Sequence, residues 1–250
     1  AGFYRQQFGL DEISGSPGGD VSLTDGGYNV TLLRQRPDLR ELRMEQGLHH
    51  IGIAVDDVDA VVARFRALYP RGTVVAERGG VAHGEVRIHD PECNPVSLSQ
   101  RHFGLDNAPP RIPRIAHLAL NALDTEAIRD FYRDVFGFRE VFEAHRESSK
   151  RPGYRNKHLG DGFSNVAIQA FYSGEEGHEA RFGIAHFGFL VPDSKIMAER
   201  VQAGGATVKA RPAHRTQSEI RMRDPEGNGC DLSQRGWEVD TDTWVRASVA

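Results

Sequence analysis

The stretch DPEGNGCDLSQR at residues 224–235 has an altered copy earlier in the chain, DPECNPVSLSQR at residues 90–101. Asp-Pro followed by Gly is a turn signal, because proline fixes φ at the first turn position and glycine accepts the angles that follow. The residues after the turn form a strand pattern, in which Asp231 and Ser233 share one face. Ser97 stands in the first copy where Asp231 stands in the second. This difference singles out Asp231 as a candidate functional residue.

Outward from this stretch, other segments repeat in the same order along the chain. The matching pairs are FYRQQFGL (3–10) with FYRDVFGF (131–138), LTDGGYNV (23–30) with LGDGFSNV (159–166), and HIGI (50–53) with HFGF (186–189). Repeats in a conserved order predict two copies of one module. We place the first module at residues 1–106, a proline-rich linker at 107–113, the second module at 114–236 and a tail at 237–250.

Hydrophobic periodicity predicts an α+β fold in which each module contains two βαβββ units. In the second module, helices should begin after Asp124 and Asp193, because Asp is a preferred N-cap residue. The predicted strands lie near residues 115–121, 139–146, 165–172, 184–191, 206–210, 217–223 and 229–234. The basic segment 146–158 has no such pattern and is expected to be a surface loop or a flap that meets an anionic substrate.

The first module lacks its opening strand in this pattern, because the sequence starts inside the helix that should follow that strand. Two explanations remain open. Further residues precede this start in the natural chain, or the alternating tail segment 244–250 supplies the strand in a circularly permuted arrangement. The chain lacks an initial Met and starts in mid-helix, which favours the first explanation.

The composition indicates a soluble globular protein, with 39% hydrophobic and 26% charged residues. A net charge of −4 argues against general binding to nucleic acid or anionic membranes. We find no apolar run long enough to span a bilayer and no signal-peptide pattern. Cys93 and Cys230 are interpreted as buried free thiols in a reducing compartment. We therefore expect a cytoplasmic protein.

The tandem βαβββ pattern, with histidines at strand starts and DPEGN before the last strand, resembles the vicinal oxygen chelate superfamily. This superfamily includes glyoxalase I, bleomycin-resistance proteins and type I extradiol ring-cleaving dioxygenases. The resemblance covers residues 3–235 and is strongest to two-domain extradiol enzymes. It implies that each module curls into a cup, with a metal at its base, and that a silent first module precedes an active second one.

Four polar side chains of the second module should face this cup, because each alternates with apolar residues on its strand. They are His117, Gln169, His186 and Asp231. Two histidines and one carboxylate with open positions form the facial triad of non-haem Fe(II) oxygenases. His117, His186 and Asp231 are therefore the predicted metal ligands, for Fe(II) or, as an alternative, Mn(II).

The first module provides an internal comparison for this site. Its positions equivalent to the four polar residues are the missing strand, Leu33, His50 and Ser97. These positions offer one histidine and no carboxylate, so we expect no stable metal site in the first module. His50 is interpreted as a structural remnant.

The C-terminal signature of type I extradiol enzymes falls in register on residues 214–231. By resemblance, His214 would be an acid/base group and hydrogen-bond donor outside the metal ligands. Arg221 stands where the signature has Tyr, and Asp231 where it has Glu. Arginine cannot donate a proton near neutral pH, but it can bind a phenolate or carboxylate of the substrate. The alternative interpretation places His214 and Arg221 on a solvated, arginine-rich hairpin.

The sequence favours an Fe(II)-dependent extradiol-type dioxygenase that cleaves the ring of a catechol or similar vicinal diol with dioxygen. Such an enzyme would serve aromatic catabolism, and we expect a homo-oligomer. One alternative is a glyoxalase-type isomerase or lyase that uses Ni(II), Zn(II) or Co(II) with Gln169 as a fourth ligand. The other is a metal-free, drug-binding protein like the bleomycin-resistance group.

Overall fold

A computed structural model describes residues 1–15, 19–34, 47–77, 83–105, 111–141, 156–171, 182–212 and 218–237. The helices in these ranges are α1 (Gly2–Phe8), α2 (Val58–Leu68), α3 (Thr125–Phe136) and α4 (Ser194–Ala203), with a short 3-10 helix at His102–Gly104. The strands of the first module are β1 (Asp11–Gly15), β2 (Val21–Thr24), β3 (Asn29–Leu32), β4 (Ile51–Ala54), β5 (Val75–Ala76), β6 (Val86–His89) and β7 (Pro95–Ser99). Those of the second module are β8 (Arg114–Ala122), β9 (Arg139–Glu140), β10 (Lys157–Gly160), β11 (Asn165–Ala170), β12 (Gly183–Leu190), β13 (Thr207–Ala210), β14 (Ile220–Arg223) and β15 (Gly229–Ser233).

The second module forms one eight-stranded sheet in the order β13-β14-β15-β12-β8-β11-β10-β9. Each half is a βαβββ unit whose first and last strands pair in parallel, β8 with β11 and β12 with β15. The two halves join through the antiparallel pair of β8 and β12. The predicted α+β class and tandem βαβββ arrangement are therefore confirmed.

The first module is divided between two smaller sheets within the described residues. One has the order β1-β2-β3 and the other β4-β7-β6-β5. Strand β4 pairs in parallel with β7, just as β12 pairs with β15. The counterpart of β8, which would join the two sheets, is not found in the described ranges, as the sequence pattern predicted. The tail segment proposed as its substitute lies outside those ranges.

The predicted helix starts are confirmed by their capping hydrogen bonds. The Asp124 carboxylate accepts from the backbone N–H groups of Glu126 and Ala127. The Asp193 carboxylate accepts in the same way from the first turn of α4. Helix α3 ends at Gly137, whose φ of 76° is a left-handed conformation that glycine adopts without strain.

The apolar core consists of two clusters, and each cluster contains residues of both modules. Helix α1 packs on α4, and helix α2 packs on α3. In the first cluster the Phe8 ring stacks on Phe189 of β12, with 3.9 Å between ring centroids. In the second, Phe65 and Phe131 meet edge to face at 6.2 Å. Burial of each module's apolar surface therefore depends on the other module.

The two copies of the Asp-Pro turn are built alike. The buried Asp224 carboxylate accepts from backbone N–H groups of its own turn and, at 2.7 Å, from the Tyr4 hydroxyl of α1. Asp90 holds the first copy in the same manner. Cys93 has a φ of 67° at the position of Gly227, whose φ is 89°. The prediction of two buried thiols is wrong for Cys93, which is exposed because it lies at this turn, and right for Cys230.

The segment expected to be an unpatterned loop contains a strand at its end. Strand β10, Lys157–Gly160, pairs with both β9 and β11, so the prediction for residues 157–158 is wrong. Alternating polarity is weak in these residues, and strand pairing across the sheet determines their conformation. Residues 142–155, including most of the proposed flap, lie outside the described ranges.

None of the helices in the described ranges is long and apolar enough to cross a membrane.

Candidate metal centre

One transverse row of residues crosses the eight-stranded sheet and contains most of the candidate site. Strand register places Asn165 beside His117, His117 beside Gly188, Gly188 beside Asp231, and Asp231 beside Arg221. Directly paired residues on neighbouring strands project to the same face of a sheet. Gly188 contributes no side chain between His117 and Asp231, which leaves room on that face for the Trp237 indole.

The three predicted metal ligands lie together at this row. One potential ligand atom from each of His117, His186 and Asp231 lies within 4.8 Å of the other two. All three residues are buried, with 4%, 4% and 1% of their surfaces exposed. His186 Nε2 and Asp231 Oδ2 are 3.3 Å apart. Strands that are far apart in sequence thus deliver two imidazoles and one carboxylate to a single point.

Asn165 fixes the orientation of His117. The Nδ1–H group of His117 donates to the Asn165 Oδ1 atom at 3.0 Å, which leaves the Nε2 lone pair as the available ligand atom. Burial lowers the pKa of the His117 imidazole well below its usual range. A neutral imidazole is the form that binds a metal, so both the tautomer and the protonation state suit this role.

Trp237 stacks on one face of the His117 ring. The two rings are stacked with centroids 4.6 Å apart and an angle of 1° between their planes. The indole N–H donates to the Ser218 Oγ atom at 2.9 Å. A Cβ atom at Gly188 would lie 2.7 Å from the indole, so glycine is required for this close approach. Trp237, which the sequence boundaries assigned to the tail, thus belongs to the site.

Arg221 forms a bidentate ion pair with Asp231. Its Nε and Nη2 groups donate to the two carboxylate oxygens at 2.7 and 3.0 Å. The same Nη2 group lies 3.1 Å from His186 Nε2. Because a guanidinium only donates hydrogen bonds, His186 Nε2 accepts and carries no proton. The interpretation of Arg221 as a solvated hairpin residue is therefore wrong.

The charges around Asp231 keep it ionised despite its burial. Burial would raise the pKa of the Asp231 carboxyl, but hydrogen bonds and opposite charge from the protonated form of His186 and from Arg221 hold that pKa well below its usual range. Arg211 adds a second guanidinium, with Nη1 3.1 Å from Asp231 Oδ2. Burial lowers the pKa of the His186 imidazole, and the attraction of Asp231 offsets this only in part.

These residues fit a divalent cation. Two neutral imidazole nitrogens and one ionised carboxylate are a donor set typical of transition metals. With bonds of about 2.1 Å, two ligands on one ion lie about 3.0–3.4 Å apart, and the His186–Asp231 separation of 3.3 Å is in this range. Both of these ligand atoms already contact one cationic nitrogen, Arg221 Nη2. A metal ion would have to replace that nitrogen.

The structure describes one of the two remaining site candidates, Gln169. His214 lies outside the described residues. Gln169 pairs with Asn121, four positions along β11 from Asn165. At about 3.3 Å per residue, Gln169 is roughly 13 Å from the position that contacts His117. Gln169 lies on the same face of β11 as Asn165, but this distance does not support a role as a fourth ligand.

Sequence reasoning missed Asn165, Trp237 and the role of Arg211. A signal for Asn165 was present, since the repeats LTDGGYNV and LGDGFSNV align it with Asn29. Trp237 had no such signal, because it follows the last repeated residue. Arg211 lies at the end of β13, and its contact with Asp231 depends on the order of strands in the sheet.

The first module has a related but different arrangement. Arg87 pairs across strands with Ser97, just as Arg221 pairs with Asp231. Arg87 forms an ion pair with Glu77, which directly follows strand β5, and donates to Ser97 Oγ at 3.4 Å. His50 lies with its Nδ1 atom 2.9 Å from that of His49. Among the described residues, the metal-type cluster thus lies in the second module.

Replacing Asn165 by leucine should lower the affinity for divalent cations by about 10–100-fold, the usual effect of losing a partner that orients a ligand. Without the Asn165 carbonyl, the His117 ring loses the contact that selects its tautomer. Calorimetric titration with Mn(II) measures the change. Asn29→Leu, at the equivalent position of the first module, is the matched control and should bind Mn(II) like the unmodified protein. Equal affinities for the two variants would contradict the orienting role.

Comparison with known proteins identifies the family of this chain. The family described as "Glyoxalase/Bleomycin resistance protein/Dioxygenase superfamily" matches residues 1–98 and 114–232. The chain belongs to this superfamily. The two matched segments correspond to the two modules of this glyoxalase/dioxygenase superfamily protein. No curated protein matches it by sequence.

Solved structures of dioxygenases share the fold of this superfamily member. The 2,3-dioxygenase LapB from Pseudomonas sp. KL28 is 18% identical, with a TM-score of 0.68 over 96% of this chain and 88% of that one. The 2,2′,3-trihydroxybiphenyl 1,2-dioxygenase of Sphingomonas wittichii strain RW1 is 16% identical, with a TM-score of 0.61 over 97% of this chain and 87% of that one. A catechol 2,3-dioxygenase is 13% identical, with a TM-score of 0.60 over 94% of this chain and 84% of that one.

Proposed function

We propose that this protein is a metal-dependent, extradiol-type dioxygenase that cleaves the ring of a catechol or similar vicinal diol. The observation that carries the proposal is the convergence of His117, His186 and Asp231 in the second module. Three protein ligands leave positions on an Fe(II) ion for both substrates, as in non-haem oxygenases. The fold shared with a 2,3-dioxygenase and a 2,2′,3-trihydroxybiphenyl 1,2-dioxygenase is compatible with this proposal.

The protein residues have distinct tasks in this proposal. A bound Fe(II), or alternatively Mn(II), would supply positive charge and vacant positions for the diol oxygens and dioxygen. His117 and His186 are held neutral by burial, and Asp231 is held ionised, so the ligands need no proton release before binding. We propose His214 as the acid/base group that receives a proton from a substrate hydroxyl. Trp237 fixes the His117 ring.

Oxygen uptake with catechol as the diol tests the proposal. Protein purified without oxygen and loaded with Fe(II) should consume dioxygen and catechol in equal amounts and form a ring-opened product. The control variant His50→Ala changes the first-module counterpart of His186 and should retain this activity. Isomerase or lyase turnover without oxygen uptake would instead support glyoxalase-type chemistry. Failure to bind Fe(II) or another divalent metal would contradict both functions.

A further inference from the structure

Arg221 occupies a position that the proposed metal also needs. Its Nη2 group contacts Asp231 Oδ2 at 3.0 Å and His186 Nε2 at 3.1 Å. We propose that Arg221 changes partner: it neutralises Asp231 before the site takes up a cation, and it then binds a carboxylate group of the substrate. This inference rests on the proposed function and narrows the substrate class to vicinal diols that carry a carboxylate.

The first step follows from competition for the same lone pairs. Arg221 uses two N–H groups to occupy both oxygens of Asp231, and one of these groups also occupies His186 Nε2. A cation bound to Asp231 and His186 must take over these lone pairs. Since a guanidinium and a metal ion repel each other at such distances, uptake of the cation releases Arg221.

After release, Arg221 stays at the edge of the site. Its backbone is held between β13 and β15, where it pairs with Lys209 and Asp231. Its side chain is 31% exposed, whereas that of Asp231 is 1% exposed. Part of the Arg221 side chain therefore reaches solvent beside the buried triad. A long side chain with a fixed backbone can turn outward by rotation and remain close to a ligand on the metal.

Charge balance indicates what the released guanidinium would bind. Arg211, Arg221 and Asp231 together carry one net positive charge, and imidazoles that bind a metal are neutral. A divalent cation adds two further charges, which a doubly ionised diol would balance. One positive charge would remain at the outer edge. A planar guanidinium suits a carboxylate there, because the two groups form paired hydrogen bonds.

The first module supplies a matched control for Arg221. Arg87 has the same place in the repeat, but its strand partner is Ser97 and its carboxylate partner is Glu77. Replacing Arg87 therefore removes an equivalent arginine without changing the contacts of the metal triad. The variants Arg221→Gln and Arg87→Gln make the same substitution, one in the second module and one in the first.

Mn(II) binding, measured by calorimetry without substrate, tests the first step. Arg221→Gln should bind Mn(II) at least tenfold more tightly than the unmodified protein, because the guanidinium that contacts both Asp231 and His186 is gone. Arg87→Gln should bind it as the unmodified protein does. An unchanged or weaker Mn(II) affinity in folded Arg221→Gln would overturn the inference. Arg221→Lys keeps the positive charge but cannot form the paired guanidinium hydrogen bonds, so it shows which of the two causes any change in Mn(II) affinity.

Substrate binding to the Mn(II)-loaded protein without oxygen tests the second step. The probes are 3,4-dihydroxybenzoate and 4-methylcatechol, whose substituents are similar in size but differ in charge. The unmodified protein and Arg87→Gln should bind 3,4-dihydroxybenzoate at least tenfold more tightly. Arg221→Gln should lose this preference while its affinity for 4-methylcatechol changes less than tenfold. Arg221→Lys should keep part of the preference.

The outcomes separate this inference from the proposed function. If the unmodified protein binds Mn(II) but binds both diols equally, the inference fails and the metal site stands. If Arg221→Gln retains the preference for the carboxylate, the inference also fails. If neither the unmodified protein nor Arg221→Gln binds Mn(II), the proposed function fails together with the inference.

Discussion

Asp231→Asn should lower the affinity for divalent cations by more than about 100-fold, beyond the usual effect of losing a partner that only orients a ligand. Asp231 is the carboxylate of the proposed triad, and it supplies the negative charge that two neutral imidazoles do not. Asparagine keeps the size of the side chain and a carbonyl oxygen that can still accept from Arg211 or Arg221. We prefer it to alanine, which would leave both guanidiniums without this acceptor.

Metal analysis after dialysis and titration with Mn(II) together measure this effect. Ser97→Ala is the matched control, because Ser97 occupies the position of Asp231 in the first module. Its metal content should equal that of the unmodified protein. A folded Asp231→Asn protein that retains a full equivalent of tightly bound metal would show that the triad is wrongly assigned.

Phe8→Ala should destabilise the folded protein by about 3–5 kcal/mol, the usual cost of truncating a buried phenylalanine. Phe8 belongs to helix α1 of the first module, yet its ring stacks on Phe189 of the second and is only 2% exposed. Removing the ring leaves a cavity between the modules. For a chain of this size, Tm should fall by about 2–4 °C for each kcal/mol.

Thermal unfolding followed by circular dichroism measures the shift. Phe163→Ala is a suitable control, because the Phe163 side chain is 44% exposed. We expect its effect on the free energy of unfolding to stay within about 0.5 kcal/mol, as is usual for surface substitutions. A Tm shift for Phe8→Ala no larger than that of the control would mean that α1 does not stabilise the second module.

The sequence alone determined the modular fold. The ordered repeats predicted two modules, and the periodicity with Asp caps predicted helices α3 and α4 close to their observed positions. These features are local: a cap, a turn and an alternating strand each depend on a few neighbouring residues. For the same reason, the faces of His117 and Asp231 followed from their own strands, and the repeat difference between Ser97 and Asp231 directed attention to the second module.

The tertiary structure decided which side chains contact one another in the site. Whether Asn165 or Gln169 reaches His117 depends on the register of β11 against β8, and a shift of four residues changes the neighbour. The ion pair of Arg221 with Asp231 likewise depends on the pairing of β14 with β15. Strand order and register arise from contacts between distant segments, so no local pattern specifies them. Local sequence therefore determined which residues are candidate ligands, and the order and register of the strands determined that the Arg221 guanidinium contacts two of them.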